Sequence, residues 1–248
     1  MKIVALGGGE IGRPGYPVET LEIDKEIVGL AGKKSPKLLF IPTASSDSEN
    51  YVKVVKKHFG GRLGCQVDAL YLLGKKLTEE QIKKKVFGSD IVYVGGGNTL
   101  KMMKVWRKVG LDQILKTAGE KGIVLSGNSA GAICWFRHGS SDSRRFTNSE
   151  AGLIRVTGLG FIPALFCPHY NAEKDREEDL RQLMKKTPGV GIGMDNCCAI
   201  EIVDNRYRII SSKKSANAYK VFWKKGKYNK ELIVKKTKFT PLSNLLRK

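Results

Sequence analysis

The chain has 248 residues, 41% hydrophobic and 8% aromatic, and its 44 Lys and Arg against 24 Asp and Glu give a formal net charge of +20. Such a length can bury a full core and fits one domain over residues 1–248 better than two small ones, and the apolar content excludes a disordered chain. No apolar run approaches the roughly eighteen residues a membrane span needs, so membrane proteins are set aside.

The chain opens MKIVALGGGE, one lysine and a short apolar run that breaks at three glycines. That is the build of a first buried strand over residues 2–6 and not of a secretory leader, so a cytoplasmic location is expected. Further β-branched and aromatic runs follow at 37–41 (KLLFI), 67–73 (VDALYLL), 90–94 (DIVYV) and 122–126 (GIVLS). Between them, residues 49–59, 78–86, 99–109 and 111–119 carry apolar side chains at helical spacing. The alternation predicts a doubly wound α/β fold, a mostly parallel sheet with helices on both faces. Beyond residue 199 the runs EIVDNRYRII, AYKVFWKKGKY and ELIVKKTKF read as C-terminal strands, mainly antiparallel, added to that sheet.

In such a sheet the chemistry gathers at the carboxyl ends of the strands. The loops expected there are Gly7-Gly8-Gly9, Pro42-Thr43-Ala44-Ser45, Gly95-Gly96-Gly97-Asn98 and Gly127-Asn128-Ser129. The last belongs to Gly127-Asn128-Ser129-Ala130-Gly131, a G-x-S-x-G with an apolar strand before it and residues 130–136 able to start a helix, with Cys134 on it. This is the setting of a nucleophilic serine on a strained turn.

A serine nucleophile needs a base, and the chain has three histidines. His58 closes the amphipathic KVVKKHF and reads as a charged-face residue at a helix C-terminus; His138 reads as an exposed loop residue. His169 directly follows the apolar LGFIPALF and the residues Cys167-Pro168, so it is either the base or a structural histidine at a strand end. The five cysteines, Cys65, Cys134, Cys167, Cys197 and Cys198, form no C-x-x-C pair and have no matching histidine spacing, so buried thiols are expected, with no metal and no disulfide framework. From Asn205 to Lys248 there are fourteen Lys and Arg against the single acid Glu231. Because the lysines are interleaved with apolar residues, a solvated face is the expected reading, with a nucleic-acid patch as its rival.

The ordered set KIVALGGGE, Pro42-Thr43-Ala44-Ser45, Val94-Gly95-Gly96-Gly97-Asn98-Thr99, Gly127-Asn128-Ser129-Ala130-Gly131-Ala132, Ser141-Asp142-Ser143 and Cys167-Pro168-His169-Tyr170 resembles the peptidase E family of aspartyl dipeptidases, with cyanophycinase a more distant relative. The likeness runs from residue 1 to about residue 225. It implies a class I glutamine amidotransferase-like fold with serine in place of cysteine.

The resemblance further implies that Ser129 attacks a peptide carbonyl and His169 relays its proton. Backbone N–H groups of Ala130 and of Gly97 or Gly96 would receive the oxyanion. Asp142 matches the triad acid by position, with Glu150 as alternative. Arg176 matches the arginine that reads a substrate aspartate, and Asn98 is placed with it as substrate-binding. Against this, residues 173–186 have the charge pattern of an ordinary amphipathic helix, which would make Arg176 a surface residue. The expected activity is hydrolysis of Asp-X dipeptides without a cofactor, the expected partner a small peptide substrate, with a homodimer left open. The alternatives are the same triad on a β-aspartyl or cyanophycin-like peptide, amide or ester, and a catalytically idle basic protein that binds nucleic acid.

Overall fold

The structure is a computed structural model that describes residues 1–74, 76–172 and 175–248. Its order is β1 (Lys2–Leu6), α1 (Leu21–Leu30), β2 (Lys37–Ile41), α2 (Glu49–Val55), a π-helical turn (Lys56–Arg62), β3 (Gln66–Ala69), α3 (Glu79–Phe87), β4 (Ile91–Val94), α4 (Thr99–Lys108), α5 (Leu111–Glu120) and β5 (Val124–Asn128). There follow α6 (Ala130–Ile133), β6 (Phe136–Ser141), β7 (Ile154–Thr157), β8 (Ile162–Cys167), α7 (Arg176–Lys185), β9 (Gly191–Met194), β10 (Cys198–Val203), β11 (Arg206–Ser211), β12 (Ala218–Lys224), β13 (Lys227–Leu232), β14 (Thr240–Pro241) and α8 (Leu242–Leu246). Glu173 and Lys174, which open the predicted helix at 173–186, lie outside the described residues.

The main sheet has the order β14-β11-β10-β1-β5-β4-β2-β3, in which β1 to β5 are parallel and the three later strands antiparallel. The parallel strands are apolar throughout because both faces are covered, as the fully buried run of β4 illustrates. Registers align Leu6 with Asn128, Gly127 with Val94, and Val94 with Ile41, so the four chemistry-bearing loops leave one rim.

A second sheet, β13-β12-β9-β8-β6-β7, corrects the expectation that the C-terminal strands all extend the first. Only β10, β11 and β14 do so; β12 pairs instead with the open edge of β9, and β13 follows it. The seed of this sheet is β6, where the residues were expected to continue the helix after Ser129. That helix ends after one turn because Trp135 and Phe136 are drawn to β8: the Ile162 N–H donates to the Trp135 carbonyl at 3.1 Å, and the Phe136 and Phe166 rings stack with centroids 4.5 Å apart. One apolar cluster, including Ala5, Val94, Leu125, Phe136, Phe166 and Ile192, joins the two sheets.

His58 also departs from expectation. It is fully buried, because the π turn is wider than an α turn and carries the residue inward; its ring bonds Asp24 of α1. His138 lies half-buried on β6 opposite Thr157, and not in a loop. All five cysteines are buried and unbridged. Among the described residues no helix is long and apolar enough to cross a membrane.

Candidate active site

Ser129 follows the last residue of β5 with φ 54° and ψ −112°, a conformation strained for any L residue. The turn is held from both sides. Its N–H donates to the Leu6 carbonyl at 3.1 Å, and its own carbonyl accepts the N–H groups of Ala132 and Ile133 at 2.9 Å each. Glycine is required at position 131, where a Cβ would lie 2.1 Å from the Val94 carbonyl oxygen. The outcome is a hydroxyl raised above the sheet rim beside Ala130, whose N–H, first in its helix, has no intrahelical acceptor.

His169, just after β8, also has positive φ, 54°. Its N–H donates to the Gly7 carbonyl at 2.9 Å, and the Cys197 N–H donates to the Gly8 carbonyl at the same distance. Three successive carbonyls, that of Leu6 at the end of β1 and those of Gly7 and Gly8 in the loop after it, therefore hold the serine, the histidine and the turn after β9. The structure brings Ser129 and His169 together, with Nε2 of the ring 2.8 Å from Oγ.

The other ring nitrogen, Nδ1, lies 2.7 Å from Oδ1 of Asn196. An amide oxygen can only accept, so Nδ1 carries the proton and donates, and Nε2 is left to accept from the serine hydroxyl. Asn196 is itself anchored, its N–H donating to Oδ1 of Asn171 at 3.0 Å. Asn196 is not among the residues that the sequence singles out. The available signal was its place one residue after Asp195 at the end of β9, another strand end on the same side.

These residues open into a cleft of about 600 Å³. Gly96, Gly97 and Asp142 line it together with Ser129, His169 and Asn196. The Gly96 N–H points at the Tyr51 hydroxyl at 3.5 Å. Burial pushes the Tyr51 phenol up to about 12, so it stays a neutral hydroxyl. Asp142 is half-buried on the cleft wall, while Glu150 is exposed, accepts from the Ser149 hydroxyl at 3.3 Å and is not among the lining residues.

Two expected substrate contacts stand elsewhere. Asn98 caps α4, accepting from the Lys101 N–H at 2.9 Å and donating to the Ser143 carbonyl at 3.1 Å. Arg176 is 1% exposed at the start of α7, with Nη1 3.5 Å from the Ser140 carbonyl, and does not line the cleft. The expected surface position for a residue in a charged helix is thus replaced by a buried one. The guanidinium that does line the cleft belongs to Arg13, gripped by both carboxylate oxygens of Glu10, which hold it above its usual range. Glu19, bonded to Lys213 and held below the usual carboxylate range by that bond, joins Glu10 and Asp142 as an acid of the lining. Among the described residues no cluster of His, Cys, Asp and Glu is arranged to hold a metal ion.

The chain matches the profile of peptidase family S51 over residues 3–210. It is 37% identical over 224 residues to the uncharacterized peptidase YgaJ of Bacillus subtilis (strain 168), covering 89% of this chain and 91% of that protein. It is 27% identical over 202 residues to the peptidase E of Nostoc sp. (strain PCC 7120), covering 76% and 78%. The crystal structure of a peptidase from an acI-B1 actinobacterium superposes with a TM-score of 0.68 at 21% identity, over 97% of this chain and 96% of that one, a likeness of fold. The chain belongs to peptidase family S51, and with it to the serine peptidases.

Proposed function

We propose that the protein hydrolyses short peptides with Ser129 as nucleophile and His169 as general base, Asp-X dipeptides being the expected substrates. The observation that carries this reading is the 2.8 Å contact between Ser129 Oγ and His169 Nε2 on a strained turn inside a cleft. Oγ attacks the scissile carbonyl carbon as its proton passes to Nε2. The carbonyl oxygen, now negative, is met by the Ala130 N–H and by the N–H of Gly97 or Gly96. Collapse of the intermediate breaks the C–N bond, with Nε2 returning the proton to the departing amine, and a water molecule then repeats the sequence on the ester. Asn196 holds the ring in the tautomer this requires.

Among the described residues, Arg13 is the cleft's guanidinium for an aspartate side chain, and the carboxylates of Glu19 and Asp142 suit a free α-amino group. Asp142 is thereby read as a substrate contact as well as the positional match to a triad acid. The reading is tested by assaying Asp-X and X-Asp dipeptides with the parent and Ser129→Ala. Loss of at least about 10³-fold in kcat/KM on Asp-X is expected from the variant. Undiminished turnover by Ser129→Ala, or preference for X-Asp in the parent, rejects it.

A further inference from the structure

Beside the cleft lies a second basin of about 790 Å³, which shares with it the wall formed by Ile11, Arg13, Pro14, Asn50 and Val54. Its described lining includes the cations Arg13, Lys53, Lys57 and Arg62 and no Asp or Glu. Apart from Arg13, which is paired with Glu10 and lines both spaces, three positive side chains surround a concave space that adjoins the candidate nucleophile's cleft.

The stripe is a product of helix geometry. Asn50, Lys53, Val54 and Lys57 are three or four residues apart and share one face of α2 and its continuation. An α-helix would carry residue 61 onto that face next. The segment Lys56–Arg62 is instead a π turn, in which the Leu63 N–H donates to the carbonyl of His58, five residues back, at 3.2 Å. Residues five apart are then stacked, and Arg62 follows Lys57.

Arg62 is also aimed from below. Its Nη1 donates to Nδ1 of His58 at 2.9 Å, and since arginine has no acceptor, His58 is neutral with its proton on Nε2. That Nε2–H donates at 2.8 Å to Oδ2 of Asp24, which also accepts from the Thr20 hydroxyl at 2.6 Å. Asp24 and His58 are fully buried, so the carboxylate fixes the ring and the ring fixes the guanidinium. The chemistry at Ser129 uses none of these groups. Opposite them Tyr16, 57% exposed, lies under the Arg13 guanidinium at 4.7 Å and completes the basin's outer wall.

We infer that this basin is a carboxylate subsite, in which Lys53, Lys57 and Arg62 hold a negative group of the substrate at a distance from the scissile bond. The inference rests on the peptidase reading above and extends its substrates from dipeptides to short acidic peptides. Cations crowded without a counter-charge are stabilised by an anion, and Arg62 offers the fork that matches a carboxylate. The group is either an acidic side chain or the peptide's terminal carboxylate, which share this chemistry.

Three probes separate them: Asp-Ala-Gln amide, Asp-Ala-Glu amide, and Asp-Ala-Gln with a free carboxyl terminus. The parent and the doubly substituted Lys53→Gln/Lys57→Gln protein, both changes at exposed helix positions, are compared on each. In the parent, one or both charged peptides are expected to exceed the neutral amide in kcat/KM by about tenfold, the size of one charge-assisted hydrogen bond, with the gap carried by KM. In the double variant the ratio falls toward one. Equal rates on all three peptides in the parent, or an unchanged ratio in the variant, overturns the subsite. The same peptides are titrated calorimetrically into Ser129→Ala, which reads the anion preference without turnover. No hydrolysis by the parent with the binding preference intact defeats the peptidase reading alone; hydrolysis without any preference defeats the subsite alone.

Discussion

Gly8 and Asn196 exclude any larger residue between them: a Cβ on Gly8 would lie 1.9 Å from Asn196 Oδ1 and 2.5 Å from His169 Nδ1. The triple glycine after β1 therefore does more than turn the chain, since its middle residue makes room for the hydrogen bond that orients the candidate base. Gly8→Ala is expected to lower kcat by about 10²-fold through displacement of the imidazole, with substrate KM moved much less. Steady-state kinetics on a cleaved dipeptide decide it, and wild-type kcat in a folded Gly8→Ala protein would show that the His169–Asn196 contact does not matter.

Asn196 gives a sharper test, because its oxygen accepts from Nδ1 of His169 and so sets the tautomer of the ring. Asn196→Ala is expected to cost about 10²-fold in kcat. Asn196→Asp keeps the acceptor and adds a charge that favours the imidazolium, so the acidic limb of the kcat/KM profile moves to higher pH. Should Asp142→Ala instead cost about 10²-fold in kcat while Asn196→Ala is silent, the orienting group is Asp142.

How much of this is legible in the residues differs from one position to the next. Ser129 and His169 can be found because each directly follows a strongly apolar run, and the fold brings such ends to one rim. Asn196 follows Gly191–Met194, whose two glycines weaken the strand signal, so its loop does not announce itself. Helix α1 was not expected, although Ile23 and Ile27 are four apart and both buried. The second sheet is hidden because β12 and β13 read as strands without indicating which edge they join. His58 and Arg176 mislead for a shared reason: each lies in a lysine- or glutamate-rich helical pattern that signals solvent, and tertiary packing turns the one polar residue inward.

Arg176 separates stability from recognition. As a buried cation with its guanidinium on the Ser140 carbonyl, it should act through the fold. Arg176→Ala is expected to lower the unfolding free energy by about 3 kcal/mol, as loss of one member of a buried charged contact does. The KM for Asp-X of the protein that remains folded should stay within a few-fold of the parent's. A large rise in KM with undisturbed urea unfolding would return Arg176 to the substrate.

Asp24 makes a prediction about pH. Burial pushes its carboxyl above the ordinary 3.8, against the opposing pull of the His58 and Thr20 hydrogen bonds. A folded pKa above the unfolded one means the folded chain holds that proton more tightly, so the contribution is fully present below the unfolded value and is lost as pH rises through the folded one. Asp24→Asn keeps an acceptor for both donors and removes the charge. The stability of the parent relative to Asp24→Asn should therefore decline as pH rises from about 4, then level off. Urea unfolding of both proteins across pH 4–8 checks it; a parent that gains on the variant with rising pH would reverse the sign.

The most direct measurement is covalent labelling of the nucleophile. The protein is treated with a fluorophosphonate, its residual peptidase activity is followed, and the labelled residue is located by peptide mass mapping. The account predicts one adduct, on Ser129, with activity lost in proportion and labelling slowed by His169→Ala. An adduct on another residue that tracks the loss of activity, or full activity in protein quantitatively labelled at Ser129, would contradict it.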